Sequence, residues 1–329
     1  MKINIFSSAL LLFSLQQATY AQDGPSKLSK RIAGGFAVPA NMALHAVRLS
    51  FAGDTTGRIC SGSLISDSHI VTAAHCVVDN NSVERKPGDI TIGYGNVDVN
   101  QQSKAKAVKV HLHPDFLQNG EKSLSNSIAI IEIEPLTLSA SVNRIPIYNK
   151  AIEPKQVMFT TGWGITAGDA ENSSILQGVA VVAGDKDTCA RGNAEFESNA
   201  GPLICIPNAL TPGRSSCSND GGGSVLVSSG KFTMLAGFNN FAVYKTSSNA
   251  CGGDDDDILR FSTNVSYFMD FIVSATGKQK EYFTSTDGID ANGGTLPTKS
   301  SGSPDDSAPT VDPNKTTTVT SVTVVTSYV

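Results

Sequence analysis

The side chains able to do chemistry fall in two stretches. One reads Val71-Thr72-Ala73-Ala74-His75-Cys76, an imidazole beside a cysteine. The other reads Cys217-Ser218-Asn219-Asp220-Gly221-Gly222-Gly223-Ser224-Val225, a carboxylate in a glycine-rich turn flanked by two serines. Acyl transfer by a hydroxyl needs three groups in contact. These are the nucleophile, an imidazole to take its proton, and a carboxylate to orient that ring and stabilise its cation. His75 supplies an imidazole, and Ser218 and Ser224 are the hydroxyls beside the turn. His111 and His113 would share one face of a strand, but two imidazoles make an incomplete metal site. No metal or other cofactor is expected. The run Asp254-Asp255-Asp256-Asp257 reads as a solvated loop rather than a calcium or partner contact.

The elements that must hold these residues are strands. Short alternating or β-branched runs, such as Ile70-Val71-Thr72, Ile128 to Ile133 and Val179 to Val182, recur between Gly, Asn, Asp and Pro. That pattern predicts an all-β sandwich or barrel. Helical spacing is clear only where Val265, Phe268, Met269 and Ile272 share a face, with Thr263 or Asn264 as the cap. From residue 275 to 329 the chain turns to Ser, Thr, Gly, Pro and Asp, too polar to offset its ordering entropy, and is expected to be a disordered, O-glycosylated tail. Within it, Thr316 to Val329 alternates Thr and Val in a pattern that could pair as a strand.

Bulk properties narrow the class. The chain has 329 residues and a net charge of -5, so it carries no basic field to attract nucleic acid or anionic lipid. Met1 to Ala21 has Lys2, an apolar run from Ile3 to Leu15 and a small-residue site, which reads as a signal peptide. That run is too short for a transmembrane anchor. Residues 22–31 read as a propeptide ending in Lys30-Arg31, whose removal would leave Ile32 as the new N-terminus. Six cysteines predict three disulfides and an oxidising compartment. Asn80, Asn172, Asn264 and Asn314 begin glycosylation sequons, Asn264 being the least suited beside the final helix. The expected product is secreted and extracellular.

Several of these stretches together resemble the chymotrypsin/trypsin-like serine proteases, peptidase family S1. Ile32-Ala33-Gly34-Gly35 resembles the mature start, and Val71 to Cys76 the segment carrying the base. His113-Pro114-Asp115-Phe116 with Asn126-Ser127-Ile128 resembles the approach to the aspartate. Thr161-Gly162-Trp163-Gly164 resembles the opening of the second barrel, and Ser262 to Ile272 the closing helix. The resemblance implies two six-stranded antiparallel β-barrels over residues 32–274, followed by the tail. It implies bridges Cys60–Cys76, Cys189–Cys205 and Cys217–Cys251.

The same resemblance places His75 at the base, Ser127 at the aspartate position and Gly221 at the serine position. It places Asn219, Asp220 and Gly221 in the oxyanion loop, with Asn219 at a positive-φ site. Asp220 is implied to pair with the α-ammonium of Ile32 after processing. Ser215 falls at the base of the specificity pocket and Arg260 on its far wall as a plug. Asn240, Phe241 and Ala242 fall on the strand that pairs substrate backbone. The expectation is therefore an inactive homologue, a pseudoprotease that binds a secreted protein partner as an inhibitor or effector of a hydrolase. The glucanase inhibitor proteins of plant-pathogenic oomycetes are similar in architecture and in lost triads. A weak or unconventional trypsin-like endopeptidase and a wall-associated structural protein are the alternatives.

Overall fold

The computed structural model describes residues 34–118, 121–165, 171–244, 258–287 and 325–328, the last four and Tyr244 by backbone alone. The expected signal peptide and propeptide, Ile32, Cys251, Asn314 and Asp254–Asp257 lie outside the described residues.

The first half holds β1 (Phe36–Ala37), β2 (Ala46–Phe51), β3 (Ile59–Leu64), β4 (His69–Thr72), β5 (Ile90–Tyr94) and β6 (Ser103–Leu112). A small hairpin of β7 (Leu117–Gln118) and β8 (Glu121–Lys122) precedes β9 (Ala129–Ile133). Strands β2-β3-β4-β9-β6-β5 close into an antiparallel barrel. β-Branched residues on β4 and β9 pack well on such a pleated surface, and Ile70, Val71, Ile130 and Ile131 are all fully buried.

The second half holds β10 (Val157–Gly162), β11 (Gln177–Val182), the short helix α1 (Lys186–Cys189), β12 (Leu203–Pro207), β13 (Ser224–Ser229), β14 (Phe232–Tyr244) and β15 (Leu259–Asn264). Six of its strands run β11-β10-β13-β14-β15-β12, with β1 on the outer edge of β11. The sheet rolls until the Gly184 amide, just past β11, donates to the Cys205 carbonyl of β12 at 2.9 Å. Among the described residues no ladder joins β11 to β12, so this sheet approaches the second six-stranded barrel without completing its hydrogen-bonded seam. β1 pairs with the start of the β11 edge through Phe36↔Gly178 and Ala37↔Gln177. Val179, Val181, Ile204, Val225 and Val227 fill its interior.

The expected final helix is present as a 3₁₀ turn, Val265–Phe268, continuing into α2 (Met269–Thr276). Val265, Phe268, Met269 and Ile272 are buried against the first barrel. Neither expected cap forms. Asn264 Nδ2 donates to the Asn199 and Gly201 carbonyls at 3.2 and 2.9 Å, and Thr263 Oγ1 donates to the Ser127 carbonyl at 3.1 Å. Buried carbonyls that would otherwise go unpaired claim both side chains.

Structure also continues past the expected boundary at 274. A further helix, α3 (Lys280–Thr284), buries Phe283 completely. Ile147 N donates to the Phe283 carbonyl at 2.7 Å. Arg144 donates to the carbonyls of Tyr282, Ser285 and Asp287 at 3.1, 3.3 and 3.0 Å. Far along the tail, β16 (Val325–Tyr328) pairs antiparallel with β14.

Candidate functional site

His75 and Ser127 meet because their strands are neighbours. β4 and β9 pair through Thr72↔Ala129, so residues just after β4 and just before β9 leave the barrel at the same end. His75 sits in the 3₁₀ turn Ala74–Cys76, fixed behind by the Cys60–Cys76 disulfide to β3. Its Nδ1 lies 3.3 Å from Ser127 Oγ, and the Asn240 side chain also bonds the ring. Burial, together with the charges of Arg58 and Lys122, pushes the imidazole down to about 3, while the Asn240 bond acts the other way. The ring is therefore neutral at physiological pH. Cys60, His75 and Cys76 converge closely enough to suggest metal ligands, but both sulfurs are committed to the disulfide.

The glycine loop forms the facing wall. The Gly221 carbonyl accepts from Ser61 N of β3 at 2.8 Å, tying the second half to the first. Gly222 has φ +76, and a Cβ there would fall 2.0 Å from the Ser61 carbonyl, so only glycine fits. Asn219 has φ 70, a conformation asparagine tolerates, and its Nδ2 bonds Asn172 Oδ1 at 2.8 Å. Asp220 is completely buried and accepts from the amides of Gly164 and Cys217 at 2.8 and 2.7 Å. Burial pushes its carboxyl up to about 7, against those two bonds and the charge of Arg260.

Arg260 lies on β15, 3 % exposed, with Nε donating to the Ser216 carbonyl at 2.8 Å beside buried Ser215. Burial lowers its guanidinium to about 10, with Asp220 opposing. On β14, Asn240 Nδ2 donates to the Leu124 carbonyl at 2.7 Å, Phe241 stacks on Phe261 with centroids 5.0 Å apart, and Ala242 is buried. A cleft of about 180 Å³ remains between the walls, lined by Arg58, Lys122, Asn80, Asn219 and His75. Arg58 reaches across it to donate to the His75 carbonyl at 2.6 Å.

The flanking hydroxyls go elsewhere. Ser224 is buried in contact with Thr161 Oγ1 at 2.7 Å and with Nε2 of His45 at 3.2 Å. His45 is a residue that sequence reasoning passed over. Its burial pushes the imidazole down to about 4. The Ser218 backbone carbonyl accepts from Ile165 N at 2.9 Å, and its side chain is half-buried. His111 and His113 diverge, the first to Glu132 at 2.5 Å, the second onto the rings of Phe268 and Phe271.

Of the sequons, Asn80 is exposed and Asn172 half-buried. Asn264 is 5 % exposed with its Nδ2 used twice inside the fold, so a glycan does not fit there. Cys189–Cys205 pairs as expected, and Cys217 is disulfide-bonded, its expected partner lying outside the described residues.

Two β units facing each other across a histidine-bearing cleft, with a disulfide behind the histidine and a glycine loop opposite, define a protein of the serine-protease fold class. The family model for trypsin matches residues 32–272, and the chain belongs to the trypsin family. A trypsin of Simulium vittatum is 29% identical over 225 residues, covering 67% of this chain and 87% of the relative. A brachyurin of Leptuca pugilator is 28% identical over 225 residues, 66% of this chain and 88% of the relative. A protein named serine protease 1 of Rattus norvegicus is 29% identical over 222 residues, 67% and 83% respectively.

Proposed function

We propose that this chain is a secreted trypsin-family protein that does not cut peptides and acts by binding, as an inhibitor or effector of a secreted hydrolase. The observation that carries this reading is the environment of His75: a neutral, buried ring facing the Ser127 hydroxyl, in a cleft it lines with Asn219 of the loop whose nucleophile position is Gly221. A general base works best with a pKa near the operating pH, and a ring held near 3 has little tendency to take a hydroxyl proton. Replacing the orienting carboxylate even by an amide costs about 10⁴ in turnover in a serine protease. Loss of the nucleophile costs about 10⁶. Buried Arg260 beside Ser215 further supports the loss of a substrate pocket.

The names of the relatives favour a second reading, a weak endopeptidase using another hydroxyl. Ser224 is the nearest serine after the glycines, but its partners are Thr161 and His45 rather than His75. Both readings are tested by exposing the full chain, before and after cleavage at Arg31, to a fluorophosphonate probe and to casein. The binding reading expects no labelling and no cleavage. Labelling or cleavage that disappears in Ser224→Ala would establish the enzyme instead. The partner is sought by capturing secreted glycoside hydrolases on the immobilised full chain and assaying them for inhibition.

A further inference from the structure

We propose that the edge of β14 at residues 241–244, which the family resemblance already implies as the substrate-pairing strand, is occupied in this protein by the chain's own segment Val325–Tyr328. The pairing is antiparallel and in register over four residues: Phe241↔Tyr328, Ala242↔Ser327, Val243↔Thr326 and Tyr244↔Val325. A strand has two edges, and the other edge of this stretch is already taken by β15 through Phe241↔Phe261, Ala242↔Arg260 and Val243↔Leu259. β16 therefore lies on the edge that β13 occupies further back, where β13 and β14 pair through Ser224↔Phe238. β13 begins at Ser224, just after the glycine loop, and so leaves this length of β14 open. Without an occupant, that edge would present unpaired backbone amides and carbonyls.

The occupant's sequence suits the position. From Thr316 to Val329 there is no Gly, Pro or charged residue and most residues are Thr or Val, whereas residues 275–313 are rich in Gly, Pro and Asp. The folded part reaches Asp287, and the intervening residues 288–324 could span at most roughly 120 Å at full extension, ample for docking within one molecule. A tether of that kind gives the segment an effective concentration in the millimolar range, so a weak strand addition is enough to keep the edge filled. The docked segment starts one residue beyond Asn240, which bonds the His75 ring. Any external strand seeking this edge must displace it. The proposal does not depend on whether the chain is catalytically inert.

The test compares the full chain with the full-length double variant Thr326→Pro, Ser327→Pro, which lacks two amides and cannot extend the ladder. Hydrogen–deuterium exchange across residues 239–244 is expected to quicken by about tenfold in the variant at every protein concentration. A fluorescent peptide of sequence 316–329 is expected to bind the variant about tenfold more tightly than the parent. Unchanged exchange, or equal or absent peptide binding in both proteins, overturns the proposal. Protection that grows with protein concentration assigns the segment to a second copy and overturns the intramolecular occupant. Neither readout measures hydrolysis, so failure here leaves the question of catalysis untouched.

Discussion

Ser127 holds its Oγ 3.3 Å from Nδ1 of His75, a neutral hydroxyl set against an imidazole that burial and two nearby cations have pushed down to about 3. The contact fixes the ring's orientation without stabilising its charge. An anion at residue 127 would favour the imidazolium directly. Ser127→Asp is therefore expected to raise the His75 pKa by more than about one unit, read from the ring resonances in an NMR titration. Casein cleavage is expected to remain absent, because Gly221 still lacks a hydroxyl.

Arg260 and Asp220 are both buried, and each favours the charged form of the other. Arg260→Met keeps most of the side chain's length and removes its charge. The Ser216 carbonyl then loses a charge-assisted bond, and Asp220 loses a cation that favours its ionised form. The expected loss of stability is about 1.5–3 kcal/mol in urea unfolding at pH 7. The Asp220 carboxyl should move further above about 7, shifting its share of the pH dependence upward.

Opposing titrations shape the pH profile of stability. His45 and His75 titrate at about 4 and 3 in the folded chain, against an ordinary 6.5. Between those limits the unfolded chain binds protons that the folded chain does not, so stability falls as pH drops below 6.5. His69 and His113, also lowered by burial, act in the same sense. Asp220 works the other way. Its folded value of about 7 lies above 3.8, so the fold keeps a proton that the unfolded chain has lost, and stability falls as pH rises through that window. The histidines outnumber it, so urea unfolding free energy should rise from pH 4.5 to about 6.5, with each unmatched proton contributing about 1.4 kcal/mol per pH unit. The double variant His45→Gln, His75→Gln should flatten that slope, and Asp220→Asn should steepen it. The opposite responses would show that these groups are not held in the states described.

Much of this site was legible because its parts are local. The turn at His75 carries its own cysteine, and the loop at Asp220 a cysteine and three glycines, so type and spacing mark them before any fold is known. The strands announced themselves through β-branched runs. His45 left no such mark: a single histidine among Ala43, Leu44 and Ala46 gives no sign that Ser224, 179 residues away, will meet it. The strand-like runs predict only an all-β sandwich or barrel, and the completed second barrel is what the family resemblance implies; neither says that β1 will pair with the start of β11. Helix α3 escaped notice because five residues give barely one turn of periodic signal, and its burial rests on one side chain, Phe283.

That side chain gives the last test. Phe283 is fully buried beneath the first barrel, its carbonyl accepts from Ile147 N, and Arg144 spans the same turn with bonds to three carbonyls and its guanidinium 4.7 Å from the Tyr282 ring centroid. Removing the ring deletes a large apolar surface and leaves a cavity that neighbouring strands cannot collapse into without breaking the barrel. Phe283→Ala is expected to lower stability by about 3–5 kcal/mol in urea unfolding. A chain ended at Ser274 should lose at least as much, since Arg144 would then have none of these acceptors, whereas a chain ended at Asp287 should lose no more than the docked segment contributes, about 1.4 kcal/mol for the tenfold effect above. Equal stability of the two truncations would mean that α3 only rests on the surface and that the folded unit ends at the helix before it.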